Sequence, residues 1–291
     1  MYSILGVSGQ VGRITADNLL HQNLPVKAIL RNSEKTCEWE QKGATVALAN
    51  LNDAASLTAA FTGAEGIFVL CPPLFNSDDP IAYNQMLINE LLIAIEKAKP
   101  KKIVYLSSVG GHLSAGTGAI LKLHHLEQAF KRLDIPTVAI RAAWFMENYA
   151  GSIAPTQKSG ELRSFLNPKD KQIAMVSVKD IGKLAAELLE ETWEGHRTIE
   201  LEGPCRYAAA DVAMVLSHQL KREVSVLPIP ATQYEATYKS FGFTPTASAL
   251  MAEMNNGFNN GIIDFEGNPN EHRTGEILLE DALSSLISAK N

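Results

Sequence analysis

The sequence predicts an α/β fold built on a doubly wound parallel sheet, with a smaller C-terminal α+β lobe. Three observations predict the sheet. In the first half of the 291-residue chain, short β-branched runs alternate with longer segments of helical period. Those runs are continuously apolar instead of alternating, as in a parallel sheet covered on both faces. A glycine-rich turn joins the first run to the first helix-like segment.

In order, the expected strands cover residues 2–7, 25–30, 45–48, 66–71, 102–107 and 137–141. The expected helices between them cover 10–21, 34–41, 53–61, 80–98 and 120–132. After about residue 142 the rhythm changes, with turn signals at Ala154-Pro155 and Asn167-Pro168. A strand at 172–178 and a helix at 179–191 are expected to return to the main sheet. A strand near 198–202, a helix near 208–220 and a strand near 223–227 follow. Residues 251–270, rich in Asn and Gly, read as a loop, and 275–289 as a helix. The division expected is a dinucleotide-binding domain at 1–150 and a smaller substrate lobe at 151–291, partly returning to the main sheet at about 172–192.

The composition, 46% apolar and 20% charged with 20 Gly and 13 Pro, is ordinary for a globular chain and excludes disorder and low complexity. A net charge of −6 without a basic tract argues against a nucleic-acid partner. Cys37, Cys71 and Cys205 are widely spaced and form no CxxC pair, which suggests neither a disulfide framework nor a metal site. No apolar run approaches the ~20 residues that span a bilayer. The first residues lack a basic n-region and a long apolar stretch, so the expected location is the cytoplasm. A homodimer is compatible with the sequence, which carries no signal for it.

The strongest local motif is Gly6-Val7-Ser8-Gly9-Gln10-Val11-Gly12. Its GxxGxxG spacing differs from the usual GxGxxG, but the physics is shared. The first glycine permits a tight turn, the second lets backbone approach a pyrophosphate, and the third lets the helix pack close to the strand. Free N–H groups at the helix start then face the anion. The plainer reading is a merely tight β–α turn. The strand before and the helix after favour a dinucleotide. At the end of the second strand an acidic residue would bind the ribose hydroxyls of NAD. Here Arg31 stands in Leu30-Arg31-Asn32, and Lys35 follows one turn later. Arginine can clamp a 2′-phosphate with a planar fork of donors, so NADP(H) is the expected cofactor. The alternative is an arginine solvated at the sheet's edge.

These residues resemble the NmrA-like family, atypical members of the short-chain dehydrogenase/reductase superfamily. Asn50-Leu51-Asn52-Asp53 through Leu57 is similar to the family's GDLxDxxSL segment. Cys71-Pro72-Pro73 resembles its loop after the fourth strand, and Ile103 through Ser108 its fifth strand. Arg141-Ala142-Ala143-Trp144-Phe145-Met146-Glu147-Asn148 resembles RPxxFMEN, and Leu201-Glu202-Gly203-Pro204 resembles LTGP. The likeness spans about residues 1–225. It implies an NADP(H)-binding Rossmann domain with a smaller substrate lobe. Cofactor contacts are implied at Gly6, Ser8, Gly9, Gln10, Val11, Gly12, Arg31, Lys35, Asn50, Leu51, Cys71, Pro72, Ser107, Lys122, Phe145 and Asn148. Asn50 stands where the family has Asp, and its carbonyl can accept from the adenine amino group as Asp does. Ala142 replaces the proline of RP, which loses a rigid turn but no chemistry.

The superfamily's Tyr-x-x-x-Lys pair is missing. The candidate lysine is Lys122, and four residues before it stands Gly118. A strong electrophile such as a quinone, azo bond or dye cation does not strictly need that tyrosine, because the cofactor carries the hydride step. Lys122 and His124 are the candidate catalytic residues, with His112 as a further helper. His124 and His125 point about 100° apart on a helix, so both cannot face one ligand. The plainer reading has one in solvent and one packed under the cofactor loop. No third ligand is spaced for a metal. Ser107 and Ser108 end the fifth strand, where they either bond ligand or cap a turn. Phe145, with Glu147 and Asn148, follows the sixth strand and either stacks on a flat substrate or belongs to the core. Residues 234–243 either line the pocket or only pack.

Three functions compete. The first is an NADPH-dependent reductase of a flat small-molecule electrophile such as a quinone, which is the expected one. The second is a non-catalytic NADP(H) sensor acting through a protein partner. The third, a nucleotide-sugar epimerase or dehydratase, is opposed by Gly118 and Arg31.

Overall fold

The computed structural model describes residues 1–267 and 271–288. In chain order the first half runs β1 (Tyr2–Leu5), α1 (Gln10–His21), β2 (Val26–Leu30), α2 (Thr36–Gln41), β3 (Thr45–Leu48), α3 (Ala54–Phe61), β4 (Gly66–Val69), α4 (Pro80–Ala98), β5 (Ile103–Ser108), α5 (Leu121–Phe130) and β6 (Thr137–Ala142). The second half runs β7 (Trp144–Phe145), α6 (Ala150–Ser159), β8 (Glu161–Ser164), β9 (Ile173–Val176), α7 (Val178–Glu190), β10 (His196–Glu202), β11 (Arg206–Tyr207), α8 (Ala209–Leu220), β12 (Ser225–Pro228), α9 (Tyr234–Ser240), α10 (Pro245–Asn259), β13 (His272–Thr274) and α11 (Leu279–Ser288).

Among the described residues the main sheet has eight strands in the order β13-β10-β6-β5-β4-β1-β2-β3, and every neighbouring pair is parallel. The fold class is therefore the one expected. The apolar runs are continuous because successive residues feed opposite faces. Ile4, Val104 and Val138 pack under α1 and α7 with Val11, Leu19, Ile181 and Leu188. Leu5, Val69 and Tyr105 pack under α3, α4 and α5 with Leu57, Leu91 and Phe130. Short side chains bring α1 and α7 together: a Cβ on Gly182 would stand 2.5 Å from Cγ2 of Ile14. Asp53 and Asp79 start α3 and α4 by accepting backbone N–H groups of the first turn. The chain turns back between β1 and β4, and open α/β sheets bind ligands at the carboxyl ends of strands flanking such a switch point.

Two expectations are corrected. The strand expected at 172–178 forms as β9 but does not join the main sheet. It sits between β7 and β11 in a small separate sheet. The edge of β6 is taken by β10, which pairs with it from His196 opposite Thr137 to Leu201 opposite Ala142. The return at 179–191 does occur, as α7. The first part of the expected loop at 251–270 is helix, since α10 runs through residue 259, and the described remainder, 260–267, is irregular; residues 268–270 lie outside those described. Its asparagines are internal ligands, not turn formers. The buried Asn255 amide donates to Tyr238 Oη at 2.6 Å and to the Met251 carbonyl at 2.8 Å. Asn259 donates to the Phe165 carbonyl and to Tyr234 Oη. Gly257 is required by space, because a Cβ there would lie 2.6 Å from Cδ1 of Ile263 and 2.9 Å from the Gly116 carbonyl oxygen.

Candidate functional site

The carboxyl ends of β1, β2, β4, β5 and β6 gather the expected residues along one edge. The turn after β1 is drawn tight by the Gly9 N–H bonded to the Gly6 carbonyl at 2.9 Å, with Gly6 at φ +76°. Glycine is obligatory at position 12: a Cβ there would meet the Gly6 oxygen at 2.5 Å and the Leu5 oxygen at 2.8 Å. Gly9 caps α1 in extended conformation with no side chain over the helix end. The first bond that closes the helix is Arg13 N–H to the Gly9 carbonyl. The N–H groups of Gln10, Val11 and Gly12 therefore precede the first intrahelical bond, with the positive end of the helix dipole behind them. The cradle fits a pyrophosphate. Ser8 and Gln10 are exposed, while the Val11 side chain is in the core, so Val11 can offer only its backbone.

Arg31 is exposed immediately past β2, and Lys35 is half-buried at the end of a short 3-10 turn that Asn32 caps. Among the described residues neither cation forms a salt bridge. The nearby Glu38 is engaged by Arg13 at 3.1 Å instead. Two unpaired cations here suit a phosphate. Past β3, Asn50 is exposed and its N–H donates to Ser56 Oγ, while Leu51 packs partly against the core below.

Lys122 lies at the start of α5 and reaches across to the loop after β4, donating from Nζ to the Pro72 carbonyl at 2.7 Å. Burial pushes its ammonium below the ordinary lysine value, opposed by the Cys71 thiol. Burial likewise pushes Cys71 up to about 11, with Lys122 pulling the other way. Two residues further along α5, His124 meets the Gly111 carbonyl at 3.0 Å through Nδ1. A carbonyl can only accept, so that nitrogen carries the hydrogen and Nε2 is left for other partners. His125 points elsewhere, with Nδ1 buried and unpartnered, as is Nδ1 of His112.

Position 118, four residues before Lys122, has no room for a side chain. Gly118 has φ +51°, and a Cβ there would run into the Leu250 carbonyl oxygen of α10. Helix α10, of which residues 251–259 were expected as loop, occupies that space.

Ser107 differs from expectation in a useful way. It is 2% exposed and donates from Oγ to Oε1 of the fully buried Glu127 at 2.5 Å. Its proton is thereby committed, so it can offer a ligand only an acceptor. Glu127 also takes a two-pronged bond from Arg141, Nε at 3.0 Å and Nη2 at 2.8 Å. The third arm of Arg141 reaches Glu266 at 2.7 Å. This network was missed. Its signal was a charged residue inside the apolar run 137–142, which cannot be buried without a partner. Phe145 is half-buried against the core, and Asn148 is exposed. Glu147 is not at the edge's disposal: its carboxylate caps α7 through Ser177 Oγ and the Val178 N–H. Of residues 234–243, Tyr234 and Tyr238 are buried packing, whereas Phe241 and Phe243 line a cleft.

The sequence profile of the NmrA-like family matches residues 3–269. The chain belongs to the NmrA-like family. Quinone oxidoreductase 2 of Escherichia coli (strain K12) is 25% identical to it over 267 residues, 90% of this chain and 89% of that one. The NAD(P)H azoreductase of Xenophilus azovorans is 22% identical over 87% of this chain and 86% of its own. Among solved structures, the NADPH-dependent quinone oxidoreductase of Escherichia coli complexed with NADPH superposes with a TM-score of 0.80 at 23% identity, covering all of both chains. Among the described residues no helix is long and apolar enough to cross a membrane, and no group of three or more His, Cys, Asp or Glu could hold a metal ion.

Proposed function

We propose that this protein is an NADPH-dependent reductase that passes a hydride to a flat electrophile such as a quinone. The observation that carries the reading is the turn Gly6–Gly12, where a glycine-only contact seats an uncapped helix end facing the switch point. The names of the NmrA-like relatives, a quinone oxidoreductase and an azoreductase, support the same chemistry. In this reading residues 1–150 hold the dinucleotide and 151–291 shape the acceptor side. The N–H groups of Gln10, Val11 and Gly12 hold the pyrophosphate, with Ser8 beside them. Arg31 and Lys35 take the 2′-phosphate, and Asn50 with Leu51 takes the adenine. Cys71, Pro72, Ser107, Lys122, Phe145 and Asn148 surround the nicotinamide half. Ser107 there accepts an N–H, since its own proton is held by Glu127.

When bound, the dinucleotide supplies a hydride, and a quinone takes that hydride and one proton to become the hydroquinone, leaving the cofactor oxidised. The protein's part is position and the proton. Burial of Lys122 weakens its hold on the ammonium proton, and Nε2 of His124 is the ring nitrogen left to exchange one. No tyrosine takes part in this reading, since α10 closes its place.

Fluorescence titration tests the cofactor assignment. NADPH should bind at least tenfold more tightly than NADH, and Arg31→Ala should erase most of that difference. Equal affinity for both dinucleotides in the unaltered protein would refute Arg31 as the phosphate ligand. Tight NADPH binding without turnover of any acceptor would favour the sensor function instead.

A further inference from the structure

Helices α1 and α2 meet through four charges. Arg13 and Asp17 stand one turn apart on α1, and Glu38 and Lys42 one turn apart on α2 and its C-terminal end. Arg13 pairs with Glu38 at 3.1 Å and Lys42 with Asp17 at 2.8 Å, while Lys42 and Glu38 are 4.0 Å apart. Lys42 is thus Asp17's partner first, and its ammonium also lies over the Trp39 ring at 4.5 Å. Glu38 therefore depends on Arg13 for its place.

What Glu38 would do without Arg13 follows from its position. It lies three residues after Lys35, on the first turn of α2, and side chains so spaced on a helix are neighbours that pair when their charges are opposite. Lys35 and Arg31 are free of salt bridges among the described residues while Glu38 is turned toward α1. Glu34, the acidic residue just before Lys35, is exposed and pairs with neither. Released from Arg13, the Glu38 carboxylate weakens a phosphate site here in two ways. It pairs with Lys35 and withdraws that cation, and it sets a negative charge beside a dianion.

We propose that Arg13 is a positioning residue for cofactor choice: it holds Glu38 away from Lys35 and so keeps Arg31 and Lys35 free for the 2′-phosphate of NADPH. The proposal rests on the reading of Arg31 and Lys35 as the phosphate's ligands. Arg13 touches no phosphate in this arrangement and acts only through Glu38. Both side chains of the pair are 37% exposed, so the pair adds little to stability. Its effect lies in where one carboxylate points. NADH carries a neutral hydroxyl in place of that phosphate, so Glu38 discriminates against NADPH alone when it is released.

The test is fluorescence titration of NADPH and NADH at low ionic strength, where exposed charges are least screened. The proteins compared are the unaltered chain, Arg13→Met, Glu38→Gln and the double variant. Methionine keeps the apolar stem of Arg13, and both positions are partly exposed, so the fold is not at risk. Arg13→Met should weaken NADPH about tenfold and NADH less than about twofold. Glu38→Gln on that background should restore NADPH affinity to within about threefold of the unaltered protein, and alone it should not weaken NADPH. A double variant as weak as Arg13→Met overturns the proposal, because Arg13 would then be a direct ligand, or the tie between α1 and α2 would be what matters. An Arg13→Met protein that loses NADPH and NADH alike overturns it too. If the unaltered protein prefers NADPH and Arg31→Ala erases that preference while Arg13→Met leaves it in place, the phosphate reading stands and the role of Arg13 fails. If the unaltered protein binds both dinucleotides equally, the phosphate reading fails and takes the role of Arg13 with it.

Discussion

Replacing Gly12 by Ala tests the cradle at its tightest point. The new Cβ would lie 2.5 Å from the Gly6 carbonyl oxygen, 2.6 Å from the Gly6 carbon and 2.8 Å from the Leu5 oxygen, all of them backbone atoms that no rotamer change can clear. Restoring ordinary contact near 3.4 Å means moving α1 off the turn by about 0.9 Å. The helix has little room to move, because Gly182 of α7 already presses on Ile14 from the other side. Overpacking of this kind costs about 1–3 kcal/mol of stability. In the proposed reading the same shift carries the N–H groups of Gln10, Val11 and Gly12 away from the phosphate. NADPH affinity should fall by about two orders of magnitude, the order expected when two or three charge-assisted bonds are lost or lengthened. Urea denaturation reads the first effect and fluorescence titration the second. Gly151→Ala serves as control: a Cβ there meets nothing within 4 Å and lies in α6, so stability should rise by about 0.5–1 kcal/mol and binding stay unchanged. A Gly12→Ala protein that binds NADPH as well as the unaltered chain would refute the cradle.

Three further outcomes follow from the buried groups. Glu127→Gln leaves the Arg141 charge, 3% exposed, without its two-pronged partner, and should lower stability by about 3 kcal/mol in urea denaturation; an unchanged midpoint would contradict a buried ion pair. With its thiol pushed up to about 11, Cys71 holds only about one thiolate in a thousand at pH 8, so a thiol reagent should label exposed Cys37 and Cys205 quickly and Cys71 only as the pH climbs. Rapid modification of all three cysteines would contradict the burial of Cys71. Lys122 is pushed below the ordinary lysine value by burial, so in the window between its lowered pKa and that value the unfolded chain holds a proton the native chain has shed. Native stability relative to Lys122→Met should therefore rise with pH through the window below the ordinary lysine value, and a pH-independent difference would refute the lowered pKa.

How much of this was legible in the sequence depends on which interactions decide each element. The sheet was legible because its strands are buried on both faces and leave continuous apolar runs. The turn at Gly6–Gly12 was legible because glycine there answers a local steric demand within a few residues. Helix α10 was not legible, since its asparagines and Gly257 answer to Tyr238, Phe165 and Ile263, partners supplied by the folded lobe. Its start could have been read from Thr244-Pro245, a capping hydroxyl before a first-turn proline. Strand β9 was recognised as a strand but misplaced, because a short apolar run does not say which edge is free. Ser107 was read as bonding ligand or capping a turn, and only the tertiary approach of Glu127 shows that its proton is taken.

In the proposed function the cradle at α1 serves hydride transfer to an added acceptor. That role is tested most directly by anaerobic oxidation of NADPH by the purified protein, with quinones, azo dyes and triphenylmethane dyes as acceptors and NADH as control. NADPH consumption should require acceptor, match it in stoichiometry and be much slower with NADH. Bound NADPH that remains unoxidised across the whole acceptor panel would contradict it.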